Sequence, residues 1–150
     1  INKVMKVPPS MMMGSWMGSD LTNDDIVQDS SLEEDYDSRV VGRCEDPPGW
    51  LVRLDARPGV VGLWSRIDVV FDDGTGLPVM TQSYDRKDRL SRTMLFEDVQ
   101  VMGGRRVPTV MRIIPEREEG HSTEFRYLSV EFDVDLSDDT FSLARLERSQ

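Results

Sequence analysis

His121 is the one histidine in the chain, and it stands in the polar turn Glu118-Glu119-Gly120-His121-Ser122. A Ser-His-acid site would have to be assembled around a solvated loop residue, which gives the imidazole no fixed orientation for proton transfer. Three acidic groups have the donors to hold a hard cation: Asp20 with Asp24 and Asp25, then Glu33-Glu34-Asp35, then Asp72-Asp73. None follows the alternating ligands and central glycine of a calcium loop, and capping and turn roles explain them more simply. The lone Cys44 excludes an internal disulfide. It lies in the strand-like Ser38-Arg39-Val40-Val41-Gly42-Arg43-Cys44, where no neighbour activates a thiol. There is no nucleophile-elbow sequence, phosphate-binding glycine loop or zinc spacing. The expectation is therefore no enzyme, no cofactor and no metal. A lipid hydrolase with His121 as its base is the least favoured alternative.

What remains is the chemistry of apolar contact. In Pro9-Ser10-Met11-Met12-Met13-Gly14-Ser15-Trp16-Met17-Gly18-Ser19-Asp20-Leu21-Thr22-Asn23-Asp24-Asp25 a dense apolar patch abuts a polar helix-start signal. Five of the nine methionines lie at position 17 or earlier. Methionine is flexible and polarisable, suited to irregular, adaptable apolar surfaces, and such a patch in a soluble chain needs a cover. The cover can be the chain's own core or a ligand.

The elements that would position this patch are strands. Ile1 to Val7 alternates like a strand already under way rather than a leader, which leads us to expect missing upstream sequence, including any secretion signal. Trp50 to Arg57 alternates with Trp50, Val52, Leu54 and Ala56 on one face and stops at Pro58-Gly59. Leu63 to Phe71 follows with Leu63, Ile67, Val69 and Phe71 together. Asp72-Asp73-Gly74-Thr75-Gly76 has hairpin-turn chemistry, and Leu77 to Tyr84 is the return strand. After the polar turn Asp85-Arg86-Lys87-Asp88, Leu90, Arg92, Met94 and Phe96 alternate with polar neighbours. Gly103-Gly104 separates Val99–Met102 from Arg106–Ile114, in which Pro108 marks an edge, a bulge or a strand start. Ser122 to Asp133 is the longest strand candidate, with Phe125 and Tyr127 on one face and Leu128, Val130 and Phe132 on the other. Helix is confined to the flanks: Thr22 or Asn23 caps a short helix through Val27, and Ser137 to Ser142 forms a capped turn that drops Phe141 onto the sheet. Successive strands with short turns imply an antiparallel meander, curved into an open barrel or onto a second layer.

Composition narrows the partners. At 150 residues the chain is about one domain, and 28 acidic against 18 basic side chains give a net charge of -10. Bulk nucleic-acid binding is disfavoured, since phosphate contacts need a basic face. No apolar run reaches membrane-spanning length.

The segment Ser15-Trp16-Met17-Gly18-Ser19-Asp20-Leu21-Thr22-Asn23-Asp24-Asp25, the strand-rich body and the closing Asp138-Asp139-Thr140-Phe141-Ser142 together resemble the outer-membrane lipoprotein-sorting proteins of LolA-like fold. The likeness spans almost all of residues 1–150, as the C-terminal part of such a protein. It implies a mainly β fold, an incompletely closed antiparallel β-barrel with short flanking helices. It further implies a periplasmic carrier that binds lipids or lipoprotein acyl chains, with an envelope membrane transporter as a partner. On that reading Met11, Met12, Met13, Trp16 and Met17 form the lining or lid of a hydrophobic cavity, and Trp64, Met80, Met94 and Phe96 its sheet wall. Lipid tails cost about 0.8 kcal/mol per methylene in water, so a carrier needs a dry surface that hides many of them. Two alternatives stand beside this: a protein-interaction or sensor module that partners a membrane exporter by strand addition, and a severed internal interface that self-associates through open strand edges.

Overall fold

A computed structural model describes residues 11–12, 14–27, 32–60, 64–137 and 140–148. The expected strand Ile1–Val7, and with it Met13, Leu63 and Asp138-Asp139, lie outside the described residues. The elements run in chain order: α1 (Asn23–Val27), α2 (Leu32–Asp35), β1 (Tyr36–Glu45), β2 (Pro48–Ala56), β3 (Arg66–Phe71), β4 (Pro78–Tyr84), β5 (Leu90–Met102), β6 (Arg105–Pro115), β7 (Thr123–Arg126) and α3 (Leu143–Arg148). All seven strands form one sheet in the order β1-β2-β3-β4-β5-β6-β7, each pair antiparallel. The sheet is not closed, and β1 and β7 are its edges among the described residues. This is the mainly β, half-open meander that the alternation and turn residues predict.

The turns fold for local reasons. Asp72 Oδ1 accepts hydrogen bonds from the Thr75 backbone N (2.8 Å) and hydroxyl (2.7 Å), and Gly76 takes φ of 68°, so the β3–β4 hairpin closes on its own side chains. Asp85 does the same after β4, where its Oδ1 accepts from the amides of Lys87 and Arg89. Gly103 and Gly104, both at positive φ, join β5 to β6.

The register sorts side chains onto two faces, because directly opposed residues point the same way. The row Val40, Val52, Val69, Thr81, Met94, Ile113, Thr123 crosses all seven strands on one face. Trp50 opposite Phe71, and Phe96 opposite Met111 opposite Phe125, flank it on the same face. The other, ionic face pairs a charged row with a short apolar one, Leu51, Val70, Met80 and Leu95. Arg39, Arg53, Asp68, Gln82 and Thr93 oppose one another along it, and Arg53 holds Asp68 through two bonds of 2.8 and 3.0 Å. Arg66 lies 3.6 Å over the Tyr84 ring beside them. Val70 and Val110 on this face are two of the six buried apolar residues among those described; the others are Leu21, Tyr36, Val69 and Ile113. A core this thin belongs to a single sheet with no second layer across it among the described residues.

Four expectations are corrected. The strand predicted over Ser122–Asp133 ends at Arg126, Tyr127 adds one bond to the Thr109 carbonyl, and the chain then turns away, leaving Leu128 exposed. It crosses the β5–β6 turn instead, where Val130 and Phe132 lie so close to Gly103 that a Cβ there would sit 2.8 Å from the Val130 carbonyl oxygen. Phe141 does not pack on the sheet but is 88% exposed. Strand β3 begins at Arg66 rather than Leu63, so Trp64 precedes it, its carbonyl accepting from the Tyr36 hydroxyl at 3.2 Å. Short helices α2 and α3 form where the sequence reading placed an acidic group and no element.

Candidate functional site

The apolar face is the surface against which a short polar segment is moored, through Thr123 and Arg92. That segment is fixed by its own sequence. The Thr22 hydroxyl accepts the Asp25 amide (3.2 Å) and Asp25 Oδ2 accepts the Thr22 amide (2.8 Å), a reciprocal cap that starts α1. Thr22 is thus the capping residue of the two the sequence offered. Upstream, Gly14, Trp16 and Asn23 tie the segment into a tight loop through backbone bonds, with Met17 and Gly18 at positive φ at its tip.

Two long-range contacts moor this loop to the sheet. Asp20 accepts the Thr123 hydroxyl at 2.7 Å, while the Asp20 amide donates back to Thr123 Oγ1 at 3.0 Å. Asp25 takes both terminal nitrogens of Arg92, at 2.6 and 2.8 Å. Arg92 is on the apolar face, in the row Ser38, Leu54, Ile67, Ser83, Arg92, Pro115. Its guanidinium is almost wholly enclosed and lies 4.9 Å from the Trp64 ring, a cation over an aromatic face. Leu21 is the buried apolar anchor of the loop, whereas α1 itself buries no residue. Burial pushes the Asp25 carboxyl up, but the Arg92 hydrogen bonds and charge, with the Thr22 donors, outweigh it and hold the group below its usual range. The two charges cancel in a largely enclosed setting that they share with the Thr22 hydroxyl and Ser83.

The expected site residues are distributed as follows. Met94 and Phe96 are half-buried on the apolar face, and Trp64 reaches the same neighbourhood through Arg92. Met80 opposes Val70 and Leu95 and therefore points to the ionic face. Met12 and Trp16 are half-buried in the moored loop, Met11 is exposed, and Met17 at the tip is 85% exposed. Met13 is outside the described residues. Sequence reasoning missed Arg92 and the second role of Asp25. A signal for Arg92 existed, since it breaks the otherwise apolar alternation Leu90, Met94, Phe96; nothing in the sequence identified its partner 67 residues away. His121 sits exposed on the β6–β7 turn, with Glu118 3.5 Å away. No group of three or more metal-ligating side chains assembles among the described residues.

A family model described as "Uncharacterized protein" matches residues 1–148. The chain belongs to this family. No curated protein matches it. Among solved structures, it is similar to a DUF1329 family protein from Desulfovibrio piger, with 28% identity and a TM-score of 0.80 over 93% of this chain and 58% of that one. It is also similar to a domain from Vibrio parahaemolyticus described as outer membrane lipoprotein-sorting, at 21% identity and TM-score 0.76, covering 92% and 58% of the two chains. A third, a LolA superfamily protein from Nitrosomonas europaea, is 16% identical with TM-score 0.73, covering 89% and 60%. The fold is LolA-like, and the chain spans under two thirds of the length of each of these structures.

Proposed function

We propose that the chain is a non-enzymatic carrier that seats the acyl chains of a lipid or lipoprotein on the apolar face, in the periplasm of a bacterial envelope. The observation that carries this reading is the mostly apolar row across seven strands, in which Val69 and Ile113 are buried, Val52, Thr81, Met94 and Thr123 half-buried and Val40 exposed, with the moored loop bound to it at Thr123 and beside it at Arg92. A twelve-carbon chain hides ~9 kcal/mol of hydrophobic free energy if its methylenes leave water, which suffices for binding without any specific polar contact. Met94, Phe96 and Trp64 form the wall in this proposal, and Met11, Met12, Met13, Trp16 and Met17 the lid or lining. Met80, on the ionic face, is left out. The LolA-like fold and the naming of one neighbour as lipoprotein-sorting support the same reading. The 58–60% coverage of the neighbours supports taking residues 1–150 as one domain of a longer carrier, and its place as the C-terminal part rests on the resemblance of the Ser15–Asp25 segment and the closing Asp138–Ser142.

The test is native mass spectrometry and lipid extraction of the secreted protein, with uptake of a fluorescent fatty acid by wild type, Phe96→Asp and Met80→Asp. Bound amphiphile, with uptake lost in Phe96→Asp and kept in Met80→Asp, is the expected result. No bound amphiphile together with no uptake removes the carrier reading. The β1 edge, where Val40 and Val41 are exposed, favours a second reading: an interaction module that adds a strand from an exporter or another envelope protein. A captured partner that free acyl chains never displace would select it.

A further inference from the structure

Arg92 presents one donor that no described residue uses. Both terminal nitrogens are taken by Asp25, while Nε is buried and has no hydrogen-bond partner among the described residues. The residue itself is 7% exposed, so no bulk water satisfies that N–H. A buried donor left unmade costs about 1–3 kcal/mol, which makes it a place where an incoming acceptor gains affinity. By covalent geometry Nε is on the stem side of the guanidinium and thus nearer the sheet than the atoms that hold Asp25. An acceptor reaching it would lie at the floor of the apolar face beside the Met94 and Phe96 row.

The charge balance says what kind of acceptor fits. With Asp25 ionised against it, the guanidinium is already neutralised, so a ligand carboxylate or phosphate brought to Nε would be an uncompensated second anion in a low-dielectric setting. An uncharged carbonyl oxygen adds a hydrogen bond and no charge. We propose that Arg92 Nε is a recognition point for the ester or amide carbonyl that joins an acyl chain to its headgroup, so that the site favours acylated molecules over free fatty acids and over alkyl ethers. This inference rests on the carrier reading above and names the ligand class of that same face. Access to Nε requires the Trp64 side chain or the moored loop to shift, while the Asp25–Arg92 pair stays intact.

The experiment compares three amphiphiles of equal chain length, each below its micelle concentration, displacing the neutral dye N-phenyl-1-naphthylamine from the purified full chain. They are 1-monolauroylglycerol (ester), 1-O-dodecylglycerol (ether, without the carbonyl) and laurate. In wild type the ester is expected to displace dye at about tenfold lower concentration than the ether, the worth of one charge-assisted bond, and to outcompete laurate. In Asp25→Asn the guanidinium loses its counter-charge and the order should turn towards laurate. Ester and ether displacing equally well would overturn this inference and leave the carrier reading standing. Laurate strongest in wild type would overturn it too, in favour of an anion site. Dye that binds but is displaced by none of the three would count against the carrier itself. Because the ester–ether comparison uses the wild-type protein, a variant that fails to fold does not decide the question.

Discussion

Asp25→Asn is the most informative single change, because it removes one charge while leaving the cap that starts α1. Asparagine keeps a carbonyl oxygen to accept the Thr22 amide, now made at 2.8 Å, and its own backbone N–H still donates to the Thr22 hydroxyl. What it cannot do is neutralise Arg92. Removing one partner of a fully buried pair costs ~3–5 kcal/mol, since the other charge is stranded; Asp25 is 18% exposed in its side chain, so a lower figure of about 2–3 kcal/mol is appropriate. That cost has a ceiling. Because α1 buries no residue of its own, the loop can lift and let water reach Arg92 before the sheet unfolds. The loss should therefore appear as easier local opening rather than as a collapse of the whole domain. The amide of Asp20, which donates across the contact to Thr123 Oγ1, reports that opening. Native-state hydrogen exchange at this position is expected to quicken about 30- to 150-fold, the equivalent of 2–3 kcal/mol. Exchange within threefold of wild type, in a variant that remains folded, would refute the idea that this ion pair moors the loop.

Further outcomes follow from the same geometry. The Asp25 carboxyl is held below its ordinary value of 3.8, so the loop's mooring should be fully present above about pH 4 and weaken as pH falls through the lowered folded value; the protection of the Asp20 amide, relative to its intrinsic exchange rate at each pH from 7 to 3, checks this, and Asp25→Asn should flatten it. Gly103→Ala places a methyl 2.8 Å from the Val130 carbonyl oxygen and 2.9 Å from the Phe132 ring, at φ of 53°. It should destabilise by about 1–3 kcal/mol and expose Phe132 to solvent, read by urea unfolding and limited proteolysis after residue 126. Gly49→Ala is expected to be worse, since its methyl would collide with the backbone oxygen of Phe71 and force β2 from β3; a melting temperature within about 2 °C of wild type would contradict that. Asp73→Asn, which loosens an ion pair with Arg43 between half-exposed side chains, should leave the midpoint unmoved.

The strands were legible because each is bounded by residues that close turns on their own: Asp72 and Thr75, Asp85, and the Gly103-Gly104 pair all act within a few positions of themselves. The row of Trp50, Val52 and Leu54 announced its face by simple alternation. Where the reading failed, the deciding contact was remote. Leu128 to Phe132 alternates like a strand, yet the β5–β6 turn takes Val130 and Phe132 as cover for Gly103, and sequence spacing contains no trace of that neighbour. Met80 shares a residue type with Met94, but Met94 pairs with Thr81, and the pairing of Met80 with Val70 and Leu95 one position away puts it on the ionic side. Arg92 was visible as a charge in an apolar row, and only the structure shows that its counter-charge comes from a helix cap.

The meander order has a consequence for how the molecule comes to be. Each pairing joins chain neighbours, so loop-closure costs stay small and hairpins can zip one after another as the polypeptide emerges. The two moorings are different, spanning 103 residues for Asp20 with Thr123 and 67 for Asp25 with Arg92. They can form only after β5 and β7 exist, which makes the methionine-bearing loop the last piece to settle during synthesis and gives a nascent chain a bare greasy face until then.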